Sequence, residues 1–525
     1  MLANWALVAI LIKISDTARR PAPAPPPLPP RRRDDPGGPP VNKPVRRIAI
    51  FCGLLVLALM LRDNWLQFVQ ADELKTNKHN HRVDIARYSQ PRGNIIVDGQ
   101  EITGSQETNG IDYKYKRTYK DGPMWAPVTG YSSQRFDSNQ IEKLEDKVLT
   151  GDDDRLFFNR TVDMITGKGK KGGDVITTLN AKAQEAAFKG LGDKQGAVAA
   201  LDPRTGKILA LASTPSYDPS TIAGANDGAA YTALTKDKNQ PMLNRALRQT
   251  YPPGSTFKVV TASAALENGL YKDVDSKTDS PLPWTLPDTA GVELKNEGNL
   301  PCKDATLREA LRVSCNTVFG KVSADLGNKK MMDEAAKFGF NKPIDTPVRA
   351  VPSIFPKDNR PQNAMAGIGQ ASNRVTPLQM AMVAAAVANN GKLMEPYMVD
   401  KLRAPNLNVI EHHTPKEMSQ PLSSEHAQML QSIMETVVES GTGTAAKIDG
   451  VKVGGKTGTA QHGVDNSGNP YAWFISYAKT DNGSPVAVAV VIEGDDNTAR
   501  DDIAGGRLAA PIAKSVMEAV LKTEK

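Results

Sequence analysis

Histidine and cysteine are scarce in this chain, whose 525 residues contain six histidines and three cysteines. For the pair His412–His413, the positions of Cys, Asp and Glu in the sequence do not form a metal-ligand spacing. The other four histidines form no triad pattern. The glycine-rich stretch GTGTAAK (441–447) lacks the Lys-Ser or Lys-Thr ending of a phosphate-binding loop, and we interpret it as structural. We therefore expect no metal and no cofactor.

Excess positive charge is almost absent from the body of the chain. The net charge is +7, and residues 1–47 hold nine Lys or Arg and three Asp or Glu, which leaves +1 for everything after them. A basic tail on a near-neutral body is typical of membrane topology signals and not of a nucleic-acid interface. We expect a membrane and no nucleic acid among the partners.

Long apolar runs are also lacking. The longest, Ile48 to Leu61, has 14 residues, about 21 Å as a helix, and this is less than the roughly 30 Å hydrocarbon core of a bilayer. Arginines that can snorkel and interfacial aromatics extend the effective span; they are Arg46, Arg47, Arg62, Trp65 and Phe68.

These features predict a transmembrane signal anchor over 41–68, which makes the protein single-pass in the plasma membrane with the residues that follow the anchor extracellular. The alternative is a signal peptide cleaved after the V-x-A pattern at 69–71. Residues 1–40 are rich in proline and arginine and cannot pack a core, so we expect a disordered tail. As a hypothesis, translation really starts near Val41.

Two further regions follow. Residues 69–171 mix short β-like pieces with turn residues and predict a small β-rich membrane-proximal pedestal. From 172 to 525 the terminal pieces read as strands of one sheet around a helix-rich insert, which predicts an α+β domain. Within it we expect a hairpin over 196–213, strands over 471–479 and 484–494, a closing helix over 506–522, and an Ala-rich helix capped by Asn180 and stopped by Gly190.

Two of the three cysteines, Cys302 and Cys315, lie on the oxidising side of the membrane, whereas Cys52 is in the anchor. A disulfide between them would close a loop of about 14 residues, worth roughly 3 kcal/mol by the chain-entropy relation. We favour this disulfide, and two buried free thiols are the alternative.

The stretch PPGSTFK (252–258) places Ser255 and Lys258 at the start of an apolar helix, three residues apart and so on one face. A serine hydroxyl needs a base to become a nucleophile, and a desolvated lysine can have its pKa lowered enough to be that base. The first turn of a helix also favours an anionic oxygen. This arrangement permits acyl transfer without histidine.

S-x-x-K alone is weak, because Ser476 to Lys479 also matches inside an apparent strand. The order of three motifs along the chain, and the elements on which they lie, make the pattern more specific. Ser314 and Asn316 follow after a helical stretch, and Lys456-Thr457-Gly458-Thr459 precedes the strand 471–479. The order S-x-x-K, S-x-N, K-T-G is that of the penicillin-recognising serine enzymes.

Here the sequence resembles the class B penicillin-binding proteins, particularly the actinobacterial PBPA type, over about residues 41–525. The stretches that carry the resemblance are YPPGSTFKVVTASAALENG (251–269), SCNTVFGK (314–321), ASNRVTPLQMAMVAAAVANNG (371–391), VVESGTGTAAK (437–447) and GGKTGTAQ (454–461). Arg92-Gly93-Asn94-Ile95 is similar to the family's R-G-x-I motif, although the expected Asp comes one place late, as Asp98, and Gly99 follows it where the family has Arg.

The resemblance implies a penicillin-binding transpeptidase fold and a D,D-transpeptidase that cross-links peptidoglycan stem peptides in cell-wall synthesis. Ser255 would attack the penultimate D-Ala carbonyl with Lys258 as base, and Ser314 would relay a proton to the leaving amine. Asn316 would bind a stem-peptide amide, while Lys456, Thr457 and Thr459 would hold the terminal carboxylate. Gly458 would leave the strand edge open to the substrate, and the backbone amides of Ser255 and Thr459 would form the oxyanion hole.

The same resemblance implies covalent inhibition by β-lactams and a membrane glycosyltransferase of the FtsW/RodA type as partner; the chain has no room for a glycosyltransferase domain of its own. Alternative functions are a β-lactam hydrolase or D,D-carboxypeptidase, a β-lactam sensor, and an inactive scaffold. The hydrolase is disfavoured because the E-x-x-N sequence Glu293 to Asn296 precedes Ser314, which is the wrong order.

Overall fold

The computed structural model describes residues 43–70, 73–74, 81–156, 170–463 and 466–524. The chain divides into two compact units, Met1–Asn80 and His81–Lys525. The expected tail 1–40 and the end of the alternative cleavage pattern, Ala71, lie outside the described residues.

The described part of the N-terminal unit is mainly one helix, α1 (Lys43–Phe68). Its 26 residues include no buried side chain and give a length of about 39 Å at 1.5 Å per residue. Within the described ranges it is the one helix that is long and apolar enough to cross a membrane. It extends well beyond the 14-residue apolar run, because its polar flanks are helical too.

The second unit begins with a part made of short elements, from residue 81 to 156. These are α2 (His81–Arg87), β1 (Ile95–Val97), β2 (Gln100–Glu101), β3 (Thr103–Glu107), β4 (Tyr115–Tyr119), α3 (Gly122–Thr129), β5 (Ser132–Ser133), β6 (Asp137–Ser138), α4 (Gln140–Leu144), α5 (Asp146–Thr150) and a 3-10 turn (Asp154–Leu156).

The remaining strands are β7 (Asp174–Thr177), β8 (Gly196–Leu201), β9 (Ile208–Thr214), β10 (Trp284–Thr285), β11 (Glu293–Leu294), β12 (Ile344–Asp345), β13 (Arg349–Ala350), β14 (Leu393–Met394), β15 (Val399–Arg403), β16 (Val409–His412), β17 (Glu417–Ser419), β18 (Lys452–Ala460), β19 (Tyr471–Thr480) and β20 (Gly483–Glu493). The α-helices are α6 (Ala181–Leu191), α7 (Gly228–Lys236), α8 (Arg245–Arg248), α9 (Lys258–Glu267), α10 (Leu307–Arg312), α11 (Asn316–Lys337), α12 (Arg360–Gly367), α13 (Pro377–Ala388), α14 (Ser424–Ser440) and α15 (Ala510–Thr523). Short 3-10 turns lie at Pro219–Ile222, Gly254–Phe257, Thr444–Ala446 and Arg500–Asp502.

The main sheet is antiparallel, in the order β18-β19-β20-β8-β9. Alternate residues of β20 face two different cores: Ala487, Ala489 and Val491 join the cluster that contains α13, and Val488 and Val490 join the one that contains α15. With both faces covered, a strand has no solvent side, which explains its continuous apolar sequence. The predicted hairpin and the strands at 471–479 and 484–494 are therefore found, and the α+β fold class is confirmed.

Helix α6 departs from the sequence prediction at its end. Asn180 caps it as expected, since its side chain accepts a hydrogen bond from Ala183 N, but the helix continues through Gly190 to Leu191 and Gly192 is its C-cap. A Cβ on Gly190 would lie 2.8 Å from Ile512 Cγ2. The prediction that Gly190 stops the helix was wrong, because this glycine allows close packing against α15.

The closing helix also differs at its start. A π-helical turn covers Gly505–Ala509 before the α-helix begins at Ala510 with a proline in its first turn. A Cβ on Gly505 would lie 1.9 Å from Trp473 O. The irregular start thus lets the chain pass directly over β19.

A second five-stranded sheet, in the order β16-β15-β7-β1-β2, joins strands from both sides of residue 171. Strand β1 pairs in parallel with β7, and Asp98 Oδ2 accepts a hydrogen bond from Ala181 N at 2.7 Å. The aspartate that comes one place late in the R-G-x-I motif therefore still contacts the helix-bearing part of the chain.

Candidate active site

Ser255 lies in the 3-10 turn Gly254–Phe257, which leads directly into α9. Side chains three residues apart are nearly aligned in such a turn. Ser255 and Lys258 are therefore on one face here, as the spacing in the sequence predicts. Ser255 is partly exposed and Lys258 is fully buried. Ser255 Oγ makes no hydrogen bond to the part of the chain that the structure describes, which leaves it available to a substrate.

The turn that carries Ser255 is fixed by contacts to its backbone. Gly254 has a φ of 53°, in the left-handed region that favours glycine, and its N–H donates to Gly369 O at 2.9 Å. The Trp473 indole Nε1 donates to Pro252 O at 3.0 Å. Strand β19 therefore holds the segment in front of Ser255 with a buried side chain that gave no motif signal in the sequence.

Ser314 and Asn316 lie at the start of α11, where the backbone is strained. Ser314 has a φ of 67°, a conformation that costs a non-glycine residue roughly 1–3 kcal/mol. The Cys315 N-cap gives no side-chain hydrogen bond to the helix. Tertiary contacts must therefore hold this turn.

Asn296 supplies the missing cap from a distant segment. Its Oδ1 accepts hydrogen bonds from Asn316 N at 2.6 Å and Thr317 N at 3.0 Å. In addition, Asn316 Nδ2 donates a hydrogen bond to Lys295 O at 2.9 Å. Sequence reasoning missed this role, because Asn296 was considered only as part of an E-x-x-N motif in the wrong order.

Lys258 Nζ donates to Ser314 O at 2.8 Å and to Asn316 Oδ1 at 2.7 Å, and it lies 3.3 Å from Ser314 Oγ. Burial, together with the charge of Lys456, lowers the pKa of Lys258 well below its usual range. A neutral amine at this position can accept a proton, as a serine nucleophile requires.

Lys456 reaches the same serine from the edge strand β18. Its Nζ donates to Ser314 Oγ at 2.9 Å and to Thr457 O at 2.9 Å. Burial lowers the pKa of Lys456 to about 7. The site is thus cationic in slightly acidic solution, and it loses part of this charge as the pH rises above neutrality.

Thr457, Gly458 and Thr459 continue along β18. The hydroxyl of Thr457 is 2.6 Å from that of Thr442, so the stretch GTGTAAK reaches the site, which its interpretation as structural did not anticipate. A Cβ on Gly458 would lie 3.0 Å from Pro253 O and from Thr256 Cγ2. This glycine lets β18 pack closely against the Ser255 turn.

Ser255, Asn316 and Thr459 line a common cavity of 170 Å³. The three motifs, more than 200 residues apart at their extremes, therefore meet at one cleft. Their shared hydrogen bonds converge on Ser314, which links the nucleophile segment to the edge strand.

Cys302 and Cys315 are joined by a disulfide and both are fully buried. Cys315 stands between Ser314 and Asn316, so the cross-link is attached to the S-x-N turn itself. It adds a covalent restraint to the hydrogen bonds that Asn296 supplies.

The sequence features that competed with the site lie elsewhere. Ser476 is buried in β19 against Met517 Sδ, and Lys479 Nζ donates to Gln431 Oε1. His426 Nδ1 contacts Glu267 Oε1 at 2.6 Å, and His462 stacks on Tyr471. No group of His, Cys, Asp and Glu that could hold a metal ion occurs in the described ranges.

Comparison with known proteins assigns the class. The family model described as penicillin binding protein transpeptidase domain matches residues 196–518, and the model described as penicillin binding protein A dimerisation domain matches residues 92–175. The chain therefore belongs to the penicillin-binding protein family of transpeptidases.

Its similarity to particular members extends over nearly the whole chain. It is 38% identical to the peptidoglycan D,D-transpeptidase PbpA of Mycolicibacterium smegmatis over 92% of this chain and 99% of that protein. The ceftriaxone acyl-enzyme structure of penicillin-binding protein A from M. tuberculosis is similar with a TM-score of 0.78 at 38% identity, over 83% of this chain and all of that one. A D,D-transpeptidase domain from Eggerthella lenta gives a TM-score of 0.69 at 32% identity, over 83% of this chain and 99% of that one.

Proposed function

We propose that this protein is a class B peptidoglycan D,D-transpeptidase in which Ser255 forms the acyl-enzyme and which β-lactams inhibit covalently. The observation that carries the proposal is the convergence of two buried lysines, Lys258 and Lys456, on Ser314 Oγ beside the cavity lined by Ser255. The relatives named as D,D-transpeptidases and the β-lactam acyl-enzyme structures support it.

In the acylation step Lys258 takes the proton of the Ser255 hydroxyl. Its neutral form is available because burial and the charge of Lys456 lower its pKa. The resulting alkoxide attacks the carbonyl carbon of the penultimate D-Ala of the donor stem peptide. The backbone N–H groups of Ser255 and Thr459 stabilise the oxyanion, a contribution of about 3–4 kcal/mol per donor in a related case.

The leaving group then needs a proton. Ser314 Oγ lies within hydrogen-bonding distance of Lys258 Nζ and Lys456 Nζ, so a proton passes from Lys258 through Ser314 to the departing D-Ala amine. The C–N bond breaks, and the donor remains as an ester on Ser255. An acceptor amine attacks this ester in the second step and restores the serine hydroxyl.

Substrate binding uses the remaining positions of the three motifs. Lys456 with the Thr457 and Thr459 hydroxyls holds the terminal carboxylate of the donor or of a β-lactam. Asn316 binds an amide of the stem peptide, a role compatible with its place in the cavity wall. The free edge of β18 accepts the substrate backbone alongside Gly458.

We also infer how the protein is arranged in the cell. Helix α1 is a single-pass anchor in the plasma membrane, residues 69–171 are a pedestal and residues 172–525 are an extracellular transpeptidase domain. The basic residues before the apolar run and the division between the two family models support this. By family resemblance alone, a FtsW/RodA-type glycosyltransferase is a partner that supplies glycan strands.

The test is labelled penicillin incubated with the purified extracellular region, His81–Lys525, which forms a compact unit. We expect a covalent adduct that persists for hours, maps to Ser255 and is lost in Ser255→Ala. Ser476→Ala is the matched control, because it removes the serine of the second S-x-x-K sequence and leaves the adduct intact.

Each other function gives a different outcome. Rapid turnover of the drug indicates a hydrolase, and an absent adduct in a folded protein indicates a scaffold. A stable adduct without transfer of a stem peptide to a D-amino-acid acceptor indicates a sensor. Transfer to the acceptor establishes the transpeptidase.

A further inference from the structure

One carboxylate stands at the cavity in front of Ser255. Among the described residues that line this cavity, Glu297 is the one with a charged side chain. The other lining groups are hydroxyls, amides and apolar side chains, among them Gln370, Gln461 and Met365. An acidic group is unexpected here, because the donor carboxylate binds at the same cleft.

The segment before Glu297 is attached to the S-x-N turn. Asn296 Oδ1 holds the first two backbone amides of α11, and the Asn316 side chain donates to Lys295 O at 2.9 Å. On the other side β11 pairs with β10. Glu297 is therefore held at the cavity by contacts of its immediate neighbours.

The Glu297 side chain itself is uncommitted. It is exposed, and it makes no ion pair or hydrogen bond to the part of the chain that the structure describes. Its charge nevertheless reaches into the site, since it acts to raise the pKa of both Lys258 and Lys456. A free carboxylate in the wall of the cavity that Ser255 also lines is available to bind a cation.

We propose that Glu297 binds the ammonium group of the acceptor amine and directs it toward the acyl-enzyme on Ser255. This inference rests on the proposed transpeptidase function. An aliphatic amine is mostly protonated near neutral pH, so the acceptor arrives as a cation, and an anionic group at the cavity favours its approach over that of water.

The transfer step replaces the ester of the acyl-enzyme by an amide and releases one proton. The bound ammonium releases one proton to solvent, and its nitrogen lone pair attacks the ester carbon of the acyl-enzyme. The bond between that carbon and Ser255 Oγ breaks. A second proton leaves the nitrogen through Lys258 and returns to Ser255 Oγ, so the products are a new amide, the free serine and one proton in solution.

The experiment compares two acceptors with one donor. The extracellular unit is given a D-alanyl thioester donor, and its acyl group is transferred either to D-alaninamide, which is cationic near neutral pH, or to hydroxylamine, which is neutral. In Glu297→Gln we expect the KM for D-alaninamide to rise about fivefold, the scale of one partly exposed charge contact. The KM for hydroxylamine is expected to stay within about twofold of its original value, the scale of an exposed surface change.

Glu297→Gln also removes a charge that raises the pKa of Lys258 and Lys456. The resulting smaller positive charge on the lysines would favour a cationic acceptor, so this indirect effect cannot produce the expected rise in the KM for D-alaninamide. Glu293→Gln is the control, since Glu293 is exposed in the same segment but does not line the cavity. Glu297→Asp keeps the charge and is expected to restore part of the preference for the cation.

Equal changes in KM for the two acceptors, or no change for either, overturn the acceptor-binding role of Glu297 while leaving the transpeptidase proposal intact. If the wild-type protein is acylated by the thioester but transfers the acyl group to neither amine, the transpeptidase proposal itself fails, and the acceptor site fails with it.

Discussion

Lys456 Nζ donates a hydrogen bond to Ser314 Oγ at 2.9 Å, which places a lysine of the edge strand on the serine of the S-x-N turn. Lys258 Nζ approaches the same oxygen from α9 at 3.3 Å. Two buried lysines that approach the same oxygen cannot both be protonated without a large energetic penalty. We therefore expect the pair to divide its roles, with Lys258 neutral as base and Lys456 charged as anion-binding group.

This division predicts the pH dependence of acylation. Burial lowers the pKa of Lys456 to about 7, so its positive charge is present below that pH and is lost above it. The affinity for a carboxylate-bearing β-lactam should fall with that charge. We expect kcat/KM for penicillin acylation to decrease as the pH rises through about 7, because this parameter reports the free enzyme.

Lys456→Arg checks the assignment, since a guanidinium stays charged through this range. The falling limb of the pH profile should then disappear or move to higher pH, whatever the absolute rate of the variant. The matched control is Lys479→Arg, in the second S-x-x-K sequence. An unchanged falling limb in Lys456→Arg would assign it to another group.

Asn296→Ala should weaken both stability and catalysis. The side chain caps α11 through Asn316 N and Thr317 N, and loss of an N-cap costs about 0.5–2 kcal/mol. Because the same contacts fix Asn316, we expect acylation to slow by about tenfold, which is less than the roughly 100-fold that a 1 Å misplacement can cost. Thermal unfolding and kcat/KM are the measurements, and Asn299→Ala, an exposed asparagine nearby, should change neither.

The disulfide should stabilise the site as well as the fold. Cys302 and Cys315 are 13 residues apart in sequence, and a loop of this size corresponds to about 3 kcal/mol in the chain-entropy relation. In Cys302→Ala/Cys315→Ala we expect a lower unfolding free energy and slower acylation at a temperature where the variant remains folded. Denaturant titration and adduct formation measure the two effects, with Cys52→Ala in the full-length chain as control. Unaltered acylation would limit the cross-link to a role in stability.

Much of the site could be predicted because its chemistry is carried by short motifs with fixed local spacing. The motifs single out Ser255, Lys258, Ser314, Asn316 and Lys456, and the structure brings these residues together. The strands of the main sheet were predictable for a similar reason, since a strand covered on both faces needs a continuous apolar sequence.

The rest of the site depends on contacts between distant segments that leave no local pattern. Asn296 caps a helix that begins 20 residues later, and Trp473 holds a carbonyl 221 residues away in sequence. Gly190 has the sequence appearance of a helix stop, yet its neighbour is Ile512 in the closing helix. Side-chain identity alone does not specify such partners.

Glu142 should matter for the stability of the part of the fold between residues 81 and 156 and not for the chemistry. It is fully buried and forms salt bridges with Arg92 at 3.0 Å and Arg117 at 2.5 Å, both of which are buried too. Removing the shared carboxylate deprives two buried guanidinium groups of this negative partner. Breaking a buried ion pair in this way typically lowers the free energy of unfolding by about 3–5 kcal/mol. We expect Glu142→Gln to lower the unfolding free energy by this order, measured by denaturant titration of the His81–Lys525 unit. Glu107→Gln, at an exposed position of β3, is the control and should have little effect.

The rate of penicillin acylation by folded Glu142→Gln should equal that of the wild type, because Glu142, Arg92 and Arg117 do not line the cavity in front of Ser255. A slower rate in the folded variant would show that this buried network also acts on the active site.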